Sequence, residues 1–226
     1  EYTIVSIFVN PTQFGEDEDL SSYPRTLEQD IENIKKISMN KKVIVFAPRR
    51  PSEIYPTTPL TSIRVPSLEN KLCGVSRPGH FNGVCQVVYR LFNIINPTNA
   101  YFGEKDFQQL LVIKQMSKEL FPQLTIKSIP IFRMPNGLAM SSRNSYLSKE
   151  EVPLALTLIT TLTELEKSFK KDNNIKNILE EIAKIKKENP SWDYLELLNS
   201  KDLSSITDET REFILAGAFK IRHIRL

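Results

Sequence analysis

Hydrophobic positions along this chain switch repeatedly between two spacings, and the switching predicts alternating strands and helices. Residues 2 to 9 form a nearly continuous β-branched and aromatic run, the pattern of a parallel strand covered on both faces. Leu27, Ile31 and Ile34 then recur at helical spacing behind Thr26 and Gln29, a pair with the form of a capping box. Val43-Ile44-Val45-Phe46 is the next strand. Prolines recur from Pro48 to Pro66 and forbid regular structure over most of that stretch, so a long surface excursion is expected there, with one short strand near Ile63. Val84, Val87, Val88, Leu91 and Ile95 mark a helix, residues 99 to 102 a short buried strand, Leu110, Leu111, Ile113 and Met116 a helix, and residues 124 to 131 a strand. Such alternation is built most economically from right-handed β-α-β crossovers around a parallel sheet.

The turn signal Pro135-Asn136-Gly137 ends that regime. Two amphipathic helices follow, over residues 152 to 169 and 175 to 185, and then two strands, over residues 192 to 198 and 212 to 219. The pattern divides the chain into an α/β domain over residues 1–131 and a smaller α+β carboxyl-terminal domain over residues 132–226. The lysines of the second domain, such as Lys184, Lys186 and Lys187, fall on the polar faces of its helices and read as solvated surface.

Charge and composition narrow the partners. The 226 residues carry 30 Lys and Arg against 27 Asp and Glu, with no long run of either sign, so no nucleic-acid surface is indicated. No apolar stretch approaches the roughly 18 to 20 residues that span a bilayer, and the first residues lack a basic secretory n-region, so a cytoplasmic protein without a membrane partner is expected. Cys73 and Cys85 fit neither a redox nor a zinc spacing. His80 and His223 are the only histidines and lie far apart, so no metal-binding cluster is expected.

Chemistry concentrates in polar turns at the ends of the predicted strands. Phe102-Gly103-Glu104-Lys105-Asp106-Phe107-Gln108-Gln109 places a glycine, a cation, carboxylates and two amides where a strand passes into a helix. In open α/β sheets ligands bind at such strand ends, and free N–H groups at a helix start favour phosphate. Taken alone, Asp106 reads equally well as a helix cap and Lys105 as a solvated loop cation. Gln13 alone is an ordinary loop amide, His80 a turn residue beside Gly79, and residues 140 to 144 a helix entry with a serine cap. Neither G-x-x-x-x-G-K-[ST] nor G-x-G-x-x-G occurs, which argues against P-loop ATPases and ordinary dinucleotide dehydrogenases, and no nucleophile triad is recognisable.

Five ordered blocks together resemble one family. They are Ser6-Ile7-Phe8-Val9-Asn10-Pro11-x-Gln13-Phe14, Tyr23-Pro24-Arg25-Thr26, Arg77-Pro78-x-His80-Phe81-x-Gly83-Val84, Phe102-Gly103-Glu104-Lys105-Asp106-Phe107-Gln108-Gln109-Leu110, and Gly137-Leu138-Ala139-Met140-Ser141-Ser142-Arg143-Asn144. This set is similar to the pantoate-β-alanine ligases. The resemblance covers most of residues 3 to 150 and weakens beyond. It implies an α/β, Rossmann-like nucleotidylyltransferase domain with a parallel sheet, related to class I aminoacyl-tRNA synthetases, and a small carboxyl-terminal lid domain.

The resemblance also implies an activity: pantoate and ATP give pantoyl adenylate and pyrophosphate, and β-alanine then displaces AMP. Gln13 and Gln109 are expected to hold pantoate. Gly103, Glu104, Lys105 and Asp106 are expected on ATP, with Lys105 neutralising phosphate charge, and Phe132 on adenine through its backbone. Met140, Ser141, Ser142 and Arg143 correspond to the mobile Lys-Met-Ser-Lys-Ser loop of the synthetases, with Lys105 and Arg143 the catalytic cations. Arg77 and His80 fall on the phosphate side. Mg2+ is expected to travel on the phosphates without a protein cage of its own, and the family suggests a homodimer. One block departs: the family's Pro-Thr-Met-Gly-x-Leu-His-x-Gly-His has no counterpart, since no histidine precedes His80. The simplest expectation is an amino-terminal segment outside these residues. An adenylate-forming ligase for another small acid, or a non-catalytic remnant of the family, are the alternatives.

Overall fold

Strand β1 (Thr3–Ser6) pairs in parallel with β2 (Val43–Phe46), in a register that sets Thr3 opposite Val43 and Ser6 opposite Phe46. The computed structural model describes residues 2–16, 18–39 and 41–226. Helix α1 (Leu27–Ser38) connects the two strands, with Glu28 and Asp30 in its first turn and Lys35 and Lys36 in its last, charges that complement the helix dipole. The expected capping box does not form. Thr26 sits outside the extended region that places a cap hydroxyl over the helix, and its hydroxyl donates to the Asp30 carboxylate at 3.3 Å, while Gln29 donates to Asn33 at 3.1 Å.

β1 is shorter than the hydrophobic run that predicts it, and it is not covered on both faces. Among the described residues β1 and β2 form a two-stranded sheet, and Ile4 and Ile44 remain 39% and 49% exposed. The proline-rich excursion follows β2. Its only regular element is a single 3-10 turn (Pro51–Glu53), and no strand forms near Ile63. Ile54, Tyr55 and Val65 are buried and anchor it, and Gln86 donates to the Thr61 carbonyl.

Two short helices, α2 (Pro66–Glu69) and α3 (Cys73–Ser76), precede the long helix α4 (His80–Ile95). Gly79 opens α4 at φ 82°, a left-handed conformation that glycine adopts without a Cβ penalty, and Asn96 closes it at φ 49° with its N–H on the Phe92 carbonyl. Phe81, Val84, Cys85, Val87, Val88 and Phe92 bury one face of α4. Strand β3 (Asn99–Gly103) pairs with β4 (Thr125–Ile129), and a 3-10 turn (Glu104–Asp106) leads from β3 directly into α5 (Phe107–Leu120). Phe92 meets Phe121 edge-on at 5.3 Å.

Contacts divide the chain into two compact units. One comprises the residues up to Val65 with Arg77–Ala100 and Val112–Lys127; the other comprises Pro66–Ser76, Tyr101–Leu111 and Ser128–Leu226. In the second unit α6 (Val152–Asp172) and α7 (Ile175–Glu188) precede an antiparallel sheet of β5 (Trp192–Asn199), β6 (Phe213–Ile221) and β7 (Ile224–Arg225). Leu165, Ile178, Ile182, Trp192, Leu195 and Phe219 fill its core. Asn174 caps α7 by accepting from the N–H groups of Lys176 and Asn177, a cap that the Asn173-Asn174 pair supplies directly. No helix among the described residues is long and apolar enough to cross a membrane.

Candidate active site

In the first unit, Gln13, Arg77 and His80 come together around one carbonyl. Asn10 begins a 3-10 turn (Pro11–Gln13) by accepting from the Thr12 N–H, with Pro11 at the first position, where no amide hydrogen is needed. Asn10 is buried, and every polar atom of its side chain is in use. Its Oδ1 accepts from the Tyr55 and Thr12 hydroxyls, each at 2.9 Å, and its Nδ2 donates to the Gly83 carbonyl at 3.1 Å and to Gln13 Oε1 at 3.2 Å. Since a carbonyl can only accept, Gly83 fixes which end of the Asn10 amide faces it. That in turn makes Gln13 Oε1 the acceptor in its contact with Asn10.

Gly83 is required at that place. A Cβ there would collide with the Thr12 carbonyl and come within 2.6 Å of Gln13 Cα, so only a glycine lets the turn lie on α4. Arg77 then forks onto Glu18, with Nε at 2.8 Å and Nη2 at 2.5 Å from the two carboxylate oxygens, both side chains being largely buried. Burial alone would raise the Glu18 carboxyl, but the hydrogen bonds and charge of Arg77 outweigh it and hold the group below the usual carboxylate range. Arg77 Nη1 lies 3.0 Å from His80 Nε2, and His80 Nδ1 lies 2.8 Å from the Gln13 carbonyl. His80 is thus a buried first residue of α4 rather than a turn residue.

In the second unit the strand-end turn has Lys105 exposed, its Nζ 3.5 Å from the Asp106 carboxylate. Asp106 ends the 3-10 turn, and among the described residues its carboxylate accepts from Lys105 rather than capping α5. Gln109 is half-buried, and among the described residues its side chain makes no hydrogen bond. Gln108, one position earlier, is buried and fully engaged with the backbone of residues 68 to 73.

Residues 132 to 140 form a small hairpin. Met140 N–H donates to the Phe132 carbonyl at 2.9 Å, Arg133 bridges Ala139, and Met134 N–H donates to Leu138 around a turn that Gly137 closes at φ 91°. Phe132 and Met140 are exposed at its open end. Ser141 then caps a 3-10 turn (Ser142–Tyr146) by accepting from the Arg143 N–H. Asn144 Nδ2 holds the Ala139 carbonyl at 2.9 Å, and its buried Oδ1 has no hydrogen-bond partner among the described residues. Phe132, Met140, Ser141, Ser142 and Arg143 are therefore one structural element, although eleven positions separate Phe132 from Arg143.

The sequence reading did not pick out Asn10, Glu18, Tyr55 or Gln108. Asn10 was readable as a cap before a proline. Glu18 and Tyr55 were not, because their partners lie 59 and 45 residues away. Among the described residues no three His, Cys, Asp or Glu side chains come together in a way that could hold a metal ion.

A parallel strand pair carrying polar turns at its strand ends, with a separate antiparallel sheet that follows two helices, is consistent with an α/β protein of the nucleotidylyltransferase type. The comparisons carry this further. The family profile described as pantoate-beta-alanine ligase matches residues 1–226, and the chain belongs to that family. It is 44% identical over 229 residues to the pantothenate synthetase of Acetivibrio thermocellus, covering all of this chain and 80% of that protein. The crystal structure of pantothenate synthetase from Thermus thermophilus superimposes with a TM-score of 0.90 at 35% identity, over all of this chain and 81% of that one. A pantoate-beta-alanine ligase from Francisella tularensis, solved with beta-gamma ATP and beta-alanine, superimposes with a TM-score of 0.72 at 34% identity and covers 100% of this chain and 77% of that one.

Proposed function

We propose that this protein condenses pantoate with β-alanine at the expense of ATP through a pantoyl-adenylate intermediate. The observation that carries the reading is the family match over residues 1–226. In the first step a pantoate carboxylate oxygen attacks the α-phosphorus of ATP, and the bond to the bridging oxygen breaks to release pyrophosphate. In the second the β-alanine amine attacks the acyl carbon, the C–N bond forms, AMP leaves and the amine gives up a proton. Neither step needs a covalent enzyme intermediate, so positioning and electrostatic stabilisation suffice.

In this proposal Gln13 donates its NH2 to pantoate, and Gln109 supplies the second amide. Lys105 and Arg143 offset charge on the phosphates. Gly103, Glu104, Asp106, Met140, Ser141 and Ser142 complete the ATP contacts, with Phe132 on the adenine. Arg77 and His80, already committed to Glu18 and to the Gln13 carbonyl, act by shaping the turn that carries Gln13. Mg2+ belongs to the proposal as a cation carried on phosphate oxygens. The exposed Asp106 carboxylate would suit one added contact to it. A cytoplasmic homodimer completes the reading.

The test is isotope exchange between pyrophosphate and ATP in the native full-length protein, with pantoate compared against other small hydroxy acids. Exchange that depends on pantoate, followed by pantothenate on adding β-alanine, supports the proposal. Equal exchange with another acid reassigns the substrate, and ATP binding without exchange points to a non-catalytic role.

A further inference from the structure

Gln108 is a buried amide in the polar turn to which the proposed reaction assigns no work. It is 5% exposed, and its side chain uses both of its donors and one acceptor on a distant stretch of backbone. Nε2 donates to the Leu68 carbonyl at 2.8 Å and to the Lys71 carbonyl at 2.6 Å, while Oε1 accepts from the Cys73 N–H at 3.1 Å. The stretch it grips is not regular. Leu72 lies at φ 41°, a left-handed conformation that a branched residue adopts only when its surroundings hold it, and it separates α2 from α3.

The far end of that stretch is held independently. Ser76 donates to Asp193 at 2.8 Å and accepts from Arg225 at 3.1 Å, and Lys71 Nζ donates to the Asp202 carbonyl at 2.7 Å. Residues 68–76 are therefore a fixed strut within the second unit, and Gln108 is where the start of α5 bolts onto it. Successive helical residues point about 100° apart, so fixing Gln108 against the strut also fixes the direction of Gln109 and the setting of the turn that carries Lys105 one helical turn earlier.

We propose that Gln108 is a positioning residue: it sets the mutual placement of Lys105 and Gln109 by locking the first turn of α5 to residues 68–73. This rests on the reaction proposed above. A misplacement of about 1 Å far from the reacting atoms can cost on the order of a hundredfold in rate while ground-state contacts survive. Gln108→Leu keeps the bulk and removes all three hydrogen bonds.

The test measures pantoate-dependent pyrophosphate exchange in the full-length protein, normalised to titrated active sites. The expected result for Gln108→Leu is a kcat per site reduced by about 10- to 100-fold, with the KM values for pantoate and ATP within about threefold of wild type. A purely structural role would lower the number of active sites and leave kcat per site unchanged, and that result overturns the proposal. Gln108→Glu supplies a second reading. Its carboxyl offers at most one donor where the amide supplies two, so kcat per site should fall below wild type at every pH, and a kcat per site equal to wild type counts against the proposal. Amide hydrogen exchange keeps the question separate from the reaction assignment. In Gln108→Leu, residues 68–76 and 103–111 should lose protection together whether or not wild type catalyses exchange, and loss confined to one segment overturns the proposed lock.

Discussion

Arg77 Nη1 stands 3.0 Å from His80 Nε2, and that contact fixes which ring nitrogen of the histidine carries the proton. A guanidinium can only donate, so Nε2 is the acceptor and Nδ1–H donates to the Gln13 carbonyl at 2.8 Å. A long-range proton–nitrogen spectrum at pH 7 should show His80 as the Nδ1–H tautomer. Arg77→Met removes the donor to Nε2 but leaves the Gln13 carbonyl as acceptor for Nδ1–H, so the same tautomer should persist in that variant, whereas a wild-type spectrum with Nε2 protonated would contradict the arrangement.

Lys105 is the exposed cation of the strand-end turn. If it offsets charge that grows on the phosphates, Lys105→Ala should lower pantoate-dependent pyrophosphate exchange by about 10²- to 10³-fold, comparable to losing one oxyanion donor. Retained exchange would take Lys105 out of the chemistry.

If Gln13 and Gln109 hold pantoate, Gln13→Leu and Gln109→Leu each leave polar groups of the bound substrate unpaired. Pantoate binding should weaken by about 1 to 3 kcal/mol while ATP binding changes little. Calorimetric titration of both ligands decides the matter, since parallel losses for the two would indicate a folding defect instead.

Gly83→Ala inserts a methyl group where backbone already stands. Overpacking typically costs about 1 to 3 kcal/mol, and because the obstruction is the Thr12 carbonyl rather than a movable side chain, the loss should reach or exceed the top of that range. Thermal or urea unfolding measures it. A neutral Gly83→Ala would mean that the turn can lift off α4 freely.

Asp193 gives a pH signature. Burial pushes its carboxyl up, but the Lys220 hydrogen bond at 2.6 Å, the Ser76 hydroxyl and Arg225 bring it below the usual value. A group depressed in the folded state contributes stability above its unfolded pKa and loses that contribution as pH falls through the folded one. Asp193→Asn should therefore be less stable than wild type at pH 7, by about 1 to 3 kcal/mol. The gap should narrow steadily below about pH 4, near the unfolded Asp value. A gap independent of pH would show that the ionised form matters little.

Much of this was legible in the chain. The β-branched run at β1, the apolar face of α4 and the Pro135-Asn136-Gly137 turn each declare themselves through local spacing, and each forms in the structure. The capping box at Thr26 and the strand near Ile63 failed because tertiary packing and proline geometry outweigh local propensity. Gln13 and Gln109 stood out as polar residues in strand-end turns. Nothing in the sequence, however, separates Gln108 from Gln109: two adjacent amides take opposite assignments, one inward and spent on backbone, the other making no side-chain hydrogen bond among the described residues, because a helix turns them apart. Glu18 was equally hidden, since its pairing with Arg77 spans 59 residues.

The hairpin that sets the Phe132 carbonyl on the Met140 N–H joins its two ends into a single tab. A grip on a base and a grip on a phosphate chain, if both ride on that tab, cannot be engaged at different times. Nucleotide capture would then be one mechanical event rather than two, and a probe attached at position 132 would report on the arrival of the triphosphate without touching it.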